Sequence, residues 1–139
     1  MKFYPRSNLY KASNVTFNPE TCEAYSYGWW RFIQRINGQI VFNWYSYSNS
    51  TRKHQGKVMG LLRELGVAID LEIEAPKGLQ DLQSAIDLYD RHIAELQAAI
   101  AKPKTWATKN VQRQEQIINY QQKMRLVRSL IKQQQNQAA

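Results

Sequence analysis

The chain has almost none of the residues that build metal sites, disulfides or redox centres. One cysteine, Cys22, and two histidines, His54 and His92, lie far apart in 139 residues. A lone cysteine forms no intrachain disulfide, so nothing points to an oxidising compartment. No CxxC, HExxH or closely spaced histidine pair is present, which excludes the common zinc sites. No GxSxG elbow and no phosphate-cradling glycine loop occurs either. No window approaches 18 consecutive apolar residues, which excludes a membrane-spanning helix. The opening MKFYPRSNLYKASN has a lysine but no apolar run behind it, unlike a secretion signal. These absences predict a non-enzymatic, cytoplasmic protein with no cofactor, no metal and no membrane partner.

Acidic residues are scarce at both ends. Residues 1–60 hold 8 Lys/Arg against 2 Asp/Glu, and residues 102–139 hold 8 against 1. Residues 61–101 reverse the balance, with 3 against 8. The net charge of +8 is therefore two basic ends around an acidic middle. Such ends suit nucleic acid, whether DNA or RNA, or an acidic protein surface. They also neutralise the middle within a fold.

Aromatic residues are concentrated where charge is sparse. Nine of the 16 fall between Tyr25 and Tyr47, in and around GWWRFIQRINGQIVFNWYSYS. Val15 and Phe17 alternate with polar residues, Asn18-Pro19-Glu20-Thr21 reads as a turn, and strand character runs from Cys22 to Ile36. Asn37-Gly38 is a type I′ hairpin signal, and the second arm runs from Gln39 to about Tyr47. A two-residue loop pairs Ile36 with Gln39, Arg35 with Ile40, Ile33 with Phe42 and Arg31 with Trp44. One face then carries Trp30, Phe32, Gln34, Ile36, Val41, Asn43 and Tyr45. The other carries Trp29, Arg31, Ile33, Arg35, Ile40, Phe42 and Trp44. Both are more apolar than a face against water should be, so protein covers both, or one receives a partner.

Ser48 to Thr51 offers helix caps, and TRKHQGKVMGLLRELG reads as a helix stopped at Gly66. Thr51, His54, Val58, Leu61 and Leu65 make its apolar stripe, with Leu62 beside it. Gly56 and Gly60 each cost a helix about 1 kcal/mol against alanine, which close approach of the sheet, another helix or a phosphate backbone would offset. Residues 67–74 alternate as a strand. Its carboxylates Asp70, Glu72 and Glu74 share one face, a pattern that could hold Mg²⁺ but is expected to be a solvated face discouraging edge pairing.

Ala75-Pro76-Lys77-Gly78 marks a boundary, giving an α+β domain over 1–78 and a helical hairpin over 79–139 with a frayed glutamine-rich tail. Leu79, Leu82, Ile86, Tyr89, Ile93, Leu96 and Ile100 form one heptad seam. After Lys102-Pro103-Lys104, a second seam runs through Trp106, Asn110, Arg113, Ile117, Tyr120, Met124, Val127 and Ile131. Leu126 and Leu130 lie outside it and are expected to meet the β-domain or a partner helix. The seams close within one chain or between two, so a homo-oligomer through the helical hairpin is open. The fold class expected is α+β: a small antiparallel sheet of about three strands plus a further strand, one helix, then an antiparallel two-helix hairpin.

The candidate nucleic-acid-binding residues are Trp29, Arg31, Arg35 and Trp44 on one hairpin face, and Arg52, Lys53 and Lys57 on the next helix. Lys123, Arg125 and Arg128 on the last helix complete the set. Guanidinium groups fork onto phosphates and tryptophan faces stack on bases. The alternative is a protein-interaction module, an inhibitor, adaptor or assembly subunit, acting through the aromatic hairpin or the helical arm.

Overall fold

The computed structural model describes residues 3–4, 9–12, 14–46, 48–102 and 107–138. Tyr47, Pro103, Lys104 and Trp106, placed above in the hairpin arm, the helix break and the second seam, lie outside the described residues. The α+β class is the one expected, with a larger sheet. Among the described residues seven strands lie in chain order: β1 Phe3–Tyr4, β2 Leu9–Ala12, β3 Val15–Asn18, β4 Glu23–Ser26, β5 Trp30–Ile36, β6 Gln39–Asn43 and β7 Leu71–Ile73. Neighbours pair antiparallel except β6 and β7, which are parallel and joined across helix α1, Asn49–Glu64. Helices α2, Gln83–Ile100, and α3, Ala107–Ala138, pack on each other as the second hairpin.

The central turn forms as read. Asn37 and Gly38 have φ of 49° and 81°, and the register from Ile36–Gln39 to Ile33–Phe42 is the one two-residue loops impose. The arm from Cys22 to Ile36, however, is not one strand. Tyr27 and Gly28 take positive φ, and the chain turns there between β4 and β5. The run of β-favouring rings hides this break in the sequence. Only Gly28 signals it, through its ease in left-handed backbone.

A β-bulge also breaks the expected alternation. Ala24 pairs with Ile33 but Tyr25 pairs with Arg31, so Phe32 is an extra residue on β5. Phe32 and Ile33 are then both buried in one cluster with Trp30, Phe42, Val58, Leu61 and Leu62, beneath α1. Gln34 turns to the opposite side, where Gln134 of α3 donates to it at 3.1 Å. Ile36 and Val41 lie on that side too, in a second cluster with Ile73, Leu79, Leu82, Ile86, Ile93, Met124, Val127 and Leu130. Both faces of the aromatic hairpin are thus covered by protein, and the second cluster draws on residues either side of Gly78.

Helix α1 begins as the sequence indicates: the Ser48 hydroxyl accepts from the Thr51 N–H at 3.1 Å. Leu65, expected on the apolar stripe, is exposed, while Gln55 is buried. The stripe Thr51, Gln55, Val58, Leu62, at spacings of four, three and four, was the signal for it. Helix α2 starts at Gln83 rather than Leu79, and the Leu79 N–H donates to the Arg31 carbonyl at 2.8 Å, tying the segment before α2 to β5. Leu130 is buried against the sheet-side core, and Leu126 is exposed.

Candidate nucleic-acid interface

The ten candidate residues do not form one patch. Arg31 is separated from Arg35 by the bulge. It lies on the side of Tyr25, donating from Nε to the Tyr25 hydroxyl at 3.1 Å with its guanidinium 5.2 Å from the ring centre. Tyr25 in turn donates to Glu23 at 3.0 Å. Burial, and then the hydrogen bond to Glu23, push the Tyr25 phenol above its ordinary range. The expected pairing of Arg31 with Trp44 is absent. β5 and β6 part beyond Ile33–Phe42, and the Arg31 backbone bonds instead to Leu79 and to the Gln80 side chain.

Arg35 is exposed at the hairpin end of β5, six residues from Trp29, about 20 Å along a strand. It lies near Cys22, whose thiol is pushed up by burial and drawn partly back by that cation. Trp44 lies against Phe42 at 4.2 Å between ring centres and donates from its indole to Glu72 at 3.0 Å. A carboxylate beside that ring disfavours a phosphate there.

The last helix divides as well. Lys123 bonds Glu74 at 3.1 Å and sits 5.7 Å from the Tyr89 ring centre. Tyr89 donates to the same carboxylate at 2.5 Å. Burial, followed by that hydrogen bond, pushes the Tyr89 phenol far up. Arg125 and Arg128 are exposed, but on the opposite side of the sheet from α1.

What remains together is one flank of α1 and the turn between β4 and β5. Buried His54 meets the Ser26 hydroxyl at 2.7 Å, and the Tyr27 ring stands edge-on to its imidazole at 5.4 Å. On the other flank, Gln55 donates to the Asn43 and Tyr45 carbonyls at 2.7 and 2.9 Å and accepts from Ser46 at 2.7 Å. These two pins fix the helix's rotation. Lys53, Lys57 and Gly60, at i, i+4 and i+7, border His54 on the side away from Gln55. Arg52 points outward, and Arg52, Lys53 and Lys57 make no ion pair among the described residues. Trp29 is 60% exposed and Tyr27 45%. Nothing in the sequence singles out Tyr27, because its neighbours have the pattern of a continuous strand.

Gly56 and Gly60 are not there to admit the sheet. A β-carbon at either would meet nothing within 4 Å. The three strand carboxylates do not converge. Asp70 accepts from the Ile40 N–H at 2.7 Å, Glu72 from Trp44, and Glu74 turns toward α2 and α3. Among the described residues no three His, Cys, Asp or Glu side chains gather as a metal would require, and no helix is long and apolar enough to cross a membrane.

No protein-family model, curated protein or solved structure matches the chain. Its function has to be read from geometry.

Proposed function

We propose that this is a non-enzymatic nucleic-acid-binding protein of the cell interior, contacting its ligand through the α1 flank and the β4–β5 turn. The observation that carries the reading is that Arg52, Lys53 and Lys57 are exposed and make no ion pair among the described residues, on the same helix whose His54 meets the partly exposed Tyr27 ring. Long cations and a flat, partly exposed ring match the two chemistries of a nucleic acid, phosphate and base. The other candidate cations are weaker supports, since Arg31 and Lys123 already have partners within the fold.

A salt titration of oligonucleotide binding tests it. With three or four phosphates contacted, log K is expected to fall with log salt at a slope of about −2 to −4. Lys53→Ala with Lys57→Ala should reduce that slope by about 1.5 to 2 and leave the melting temperature unchanged. Arg125→Ala with Arg128→Ala should change neither. Absence of binding at low salt, or equal losses from both pairs, would overturn the reading.

One observation favours the alternative of a protein-interaction module. Val111, Ile118 and Leu126 are exposed on α3 away from its buried seam, and Leu126 edges a groove of about 420 Å³ with Tyr120 and Lys123. If that face docks an acidic partner or a second copy, Ile118→Glu should abolish the association while oligonucleotide binding persists.

A further inference from the structure

We infer that this protein pairs with a second copy of itself through the outer face of its helical hairpin, the acidic stripe of α2 in each copy lying on the basic stripe of α3 in the other. The inference is independent of the nucleic-acid reading, and it names the partner for the α3 face described above.

Helix α3 carries two seams. One is buried, through Ile117, Met124 and Val127. The other runs through Ile118, Gln121, Arg125, Arg128 and Lys132, spaced 3, 4, 3 and 4, and all five are exposed. Val111, also exposed, continues it toward the start of the helix. Such spacing keeps side chains on one stripe of a helix. Arg125 lies two residues from Lys123, which reaches Glu74, and two from Val127, which is buried with Ile36, Val41 and Ile73 of the sheet. Two residues are about 200° of helix rotation, so the stripe looks away from the sheet. Helix α2 presents a matching stripe, Asp87, Asp90, Ala94 and Gln97, spaced 3, 4 and 3 and exposed throughout.

The two stripes stand level with each other. Asp90 and Gln97 share one open groove of about 420 Å³ with Gln121, Arg125 and Arg128, over the buried Ile93 and Met124. Yet Asp87, Asp90, Arg125, Arg128 and Lys132 make no ion pair among the described residues. The face therefore bears both signs, sorted by helix. An acidic protein or a nucleic acid laid across it would meet Asp87 and Asp90 with like charge. A second copy turned about a two-fold axis parallel to the hairpin avoids this. It sets α2 on α3 at the same height, acid on base twice over, and covers the exposed Ile118 with Ala94 and Gln97. The four helices then alternate in direction, as in an antiparallel bundle. Two helices about 27 Å long and about 10 Å wide cover roughly 540 Å² per copy, about 1,100 Å² in total, which clears the size of a specific interface.

The test is sedimentation equilibrium of the full chain without oligonucleotide, from about 1 to about 200 μM, the range of a weak interface of this size. A concentration-dependent dimer is expected, weakened at least about tenfold between about 0.05 and 0.5 M salt. Asp87→Lys with Asp90→Lys, and separately Arg125→Asp with Arg128→Asp, should each leave the chain monomeric with its helix content unchanged. An equimolar mixture of the two variants should recover a dimer with one chain of each, because every facing pair of α2 and α3 again carries opposite charges. Should either reversal fail to fold, Ala94→Trp, which alters no charge, is expected to give the same loss. A wild type that stays monomeric at the top of the range would overturn the inference. So would a dimer that the reversals or Ala94→Trp leave intact, or a mixture that does not associate. The α1 reading stands in each of those cases, because oligonucleotide binding is read at nanomolar protein, where the chain is a single copy.

Discussion

Under α1 the sheet buries rings, whereas under α2 and α3 it buries mostly aliphatic chains. The first cluster holds Phe17, Trp30, Phe32 and Phe42 beneath a single helix of 16 residues. The second holds Ile36, Val41, Ile73, Leu79 and Leu82, with Ile86, Ile93, Ile117, Val127 and Leu130 from the two helices. One helix cannot span a seven-stranded sheet, so the α1 side is held in place by buried polar pins at its flanks. His54 meets Ser26, and Gln55 takes three partners where β6 ends. The other side buries Tyr89 too, and its hydroxyl reaches out to Glu74, which also holds the partly exposed Lys123. The difference bears on function. On the two-helix side Lys123 is held by the Glu74 carboxylate, while Arg52, Lys53 and Lys57 of α1 are exposed and make no ion pair among the described residues.

Adjacent tryptophans give the hardest test of that contrast. Trp30 is 0% exposed and donates to the Pro76 carbonyl, so Trp30→Ala is expected to cost about 3–5 kcal/mol or unfold the chain. Trp29→Ala should stay within about 0.5 kcal/mol in denaturant melts. Similar costs for the two would mean that the turn is packed rather than presented.

Next in size is the buried Tyr89 on the other side. Tyr89→Phe removes the bond to Glu74 and should cost about 1–2 kcal/mol at neutral pH. The folded state raises the Tyr89 pKa, so the stability from its neutral phenol is complete below about pH 10 and is lost as pH climbs further. The wild type should therefore weaken more steeply than Tyr89→Phe between about pH 9 and 11. Parallel curves in alkaline thermal melts would show that the phenol is not held neutral by this network.

The smallest effect has the opposite sign. Gly60→Ala places a methyl in open space on a regular helix and should stabilise by about 0.5–1 kcal/mol. A gain in melting temperature accompanied by weaker oligonucleotide binding would put the ligand against this stretch of α1.

Local chemistry made much of the fold legible. Asn37-Gly38 fixed the hairpin and its register, Ser48 and Gly66 bounded α1, and the 3-4 spacing from Leu79 to Ile100 marked the seam of α2. The bulge at Phe32 was not legible, since an extra residue changes no local preference and appears only when two strands are laid side by side. The same holds for the parallel pairing of β7 with β6, which depends on where α1 delivers the chain. The candidate site suffered most from this. A strict alternation grouped Trp29, Arg31, Arg35 and Trp44, and a bulge, a parting of strands and a distance of about 20 Å separated them.

By itself the sequence determined the class of the fold, its central turn, the apolar stripes of its helices and the uneven charge along the chain. These follow from backbone preference and periodicity, which act over a few residues. Tertiary structure alone decided which charges were used up inside the fold and which were left facing solvent. Arg31 went to Tyr25, Lys123 to Glu74 and Trp44 to Glu72. Lys53 and Lys57 came to lie on the flank of α1 next to His54 and away from Gln55 because two buried pins, 28 and about 10 residues apart in sequence, set the rotation of one helix. Contacts over such separations depend on the packing of the whole sheet, and no local pattern encodes them.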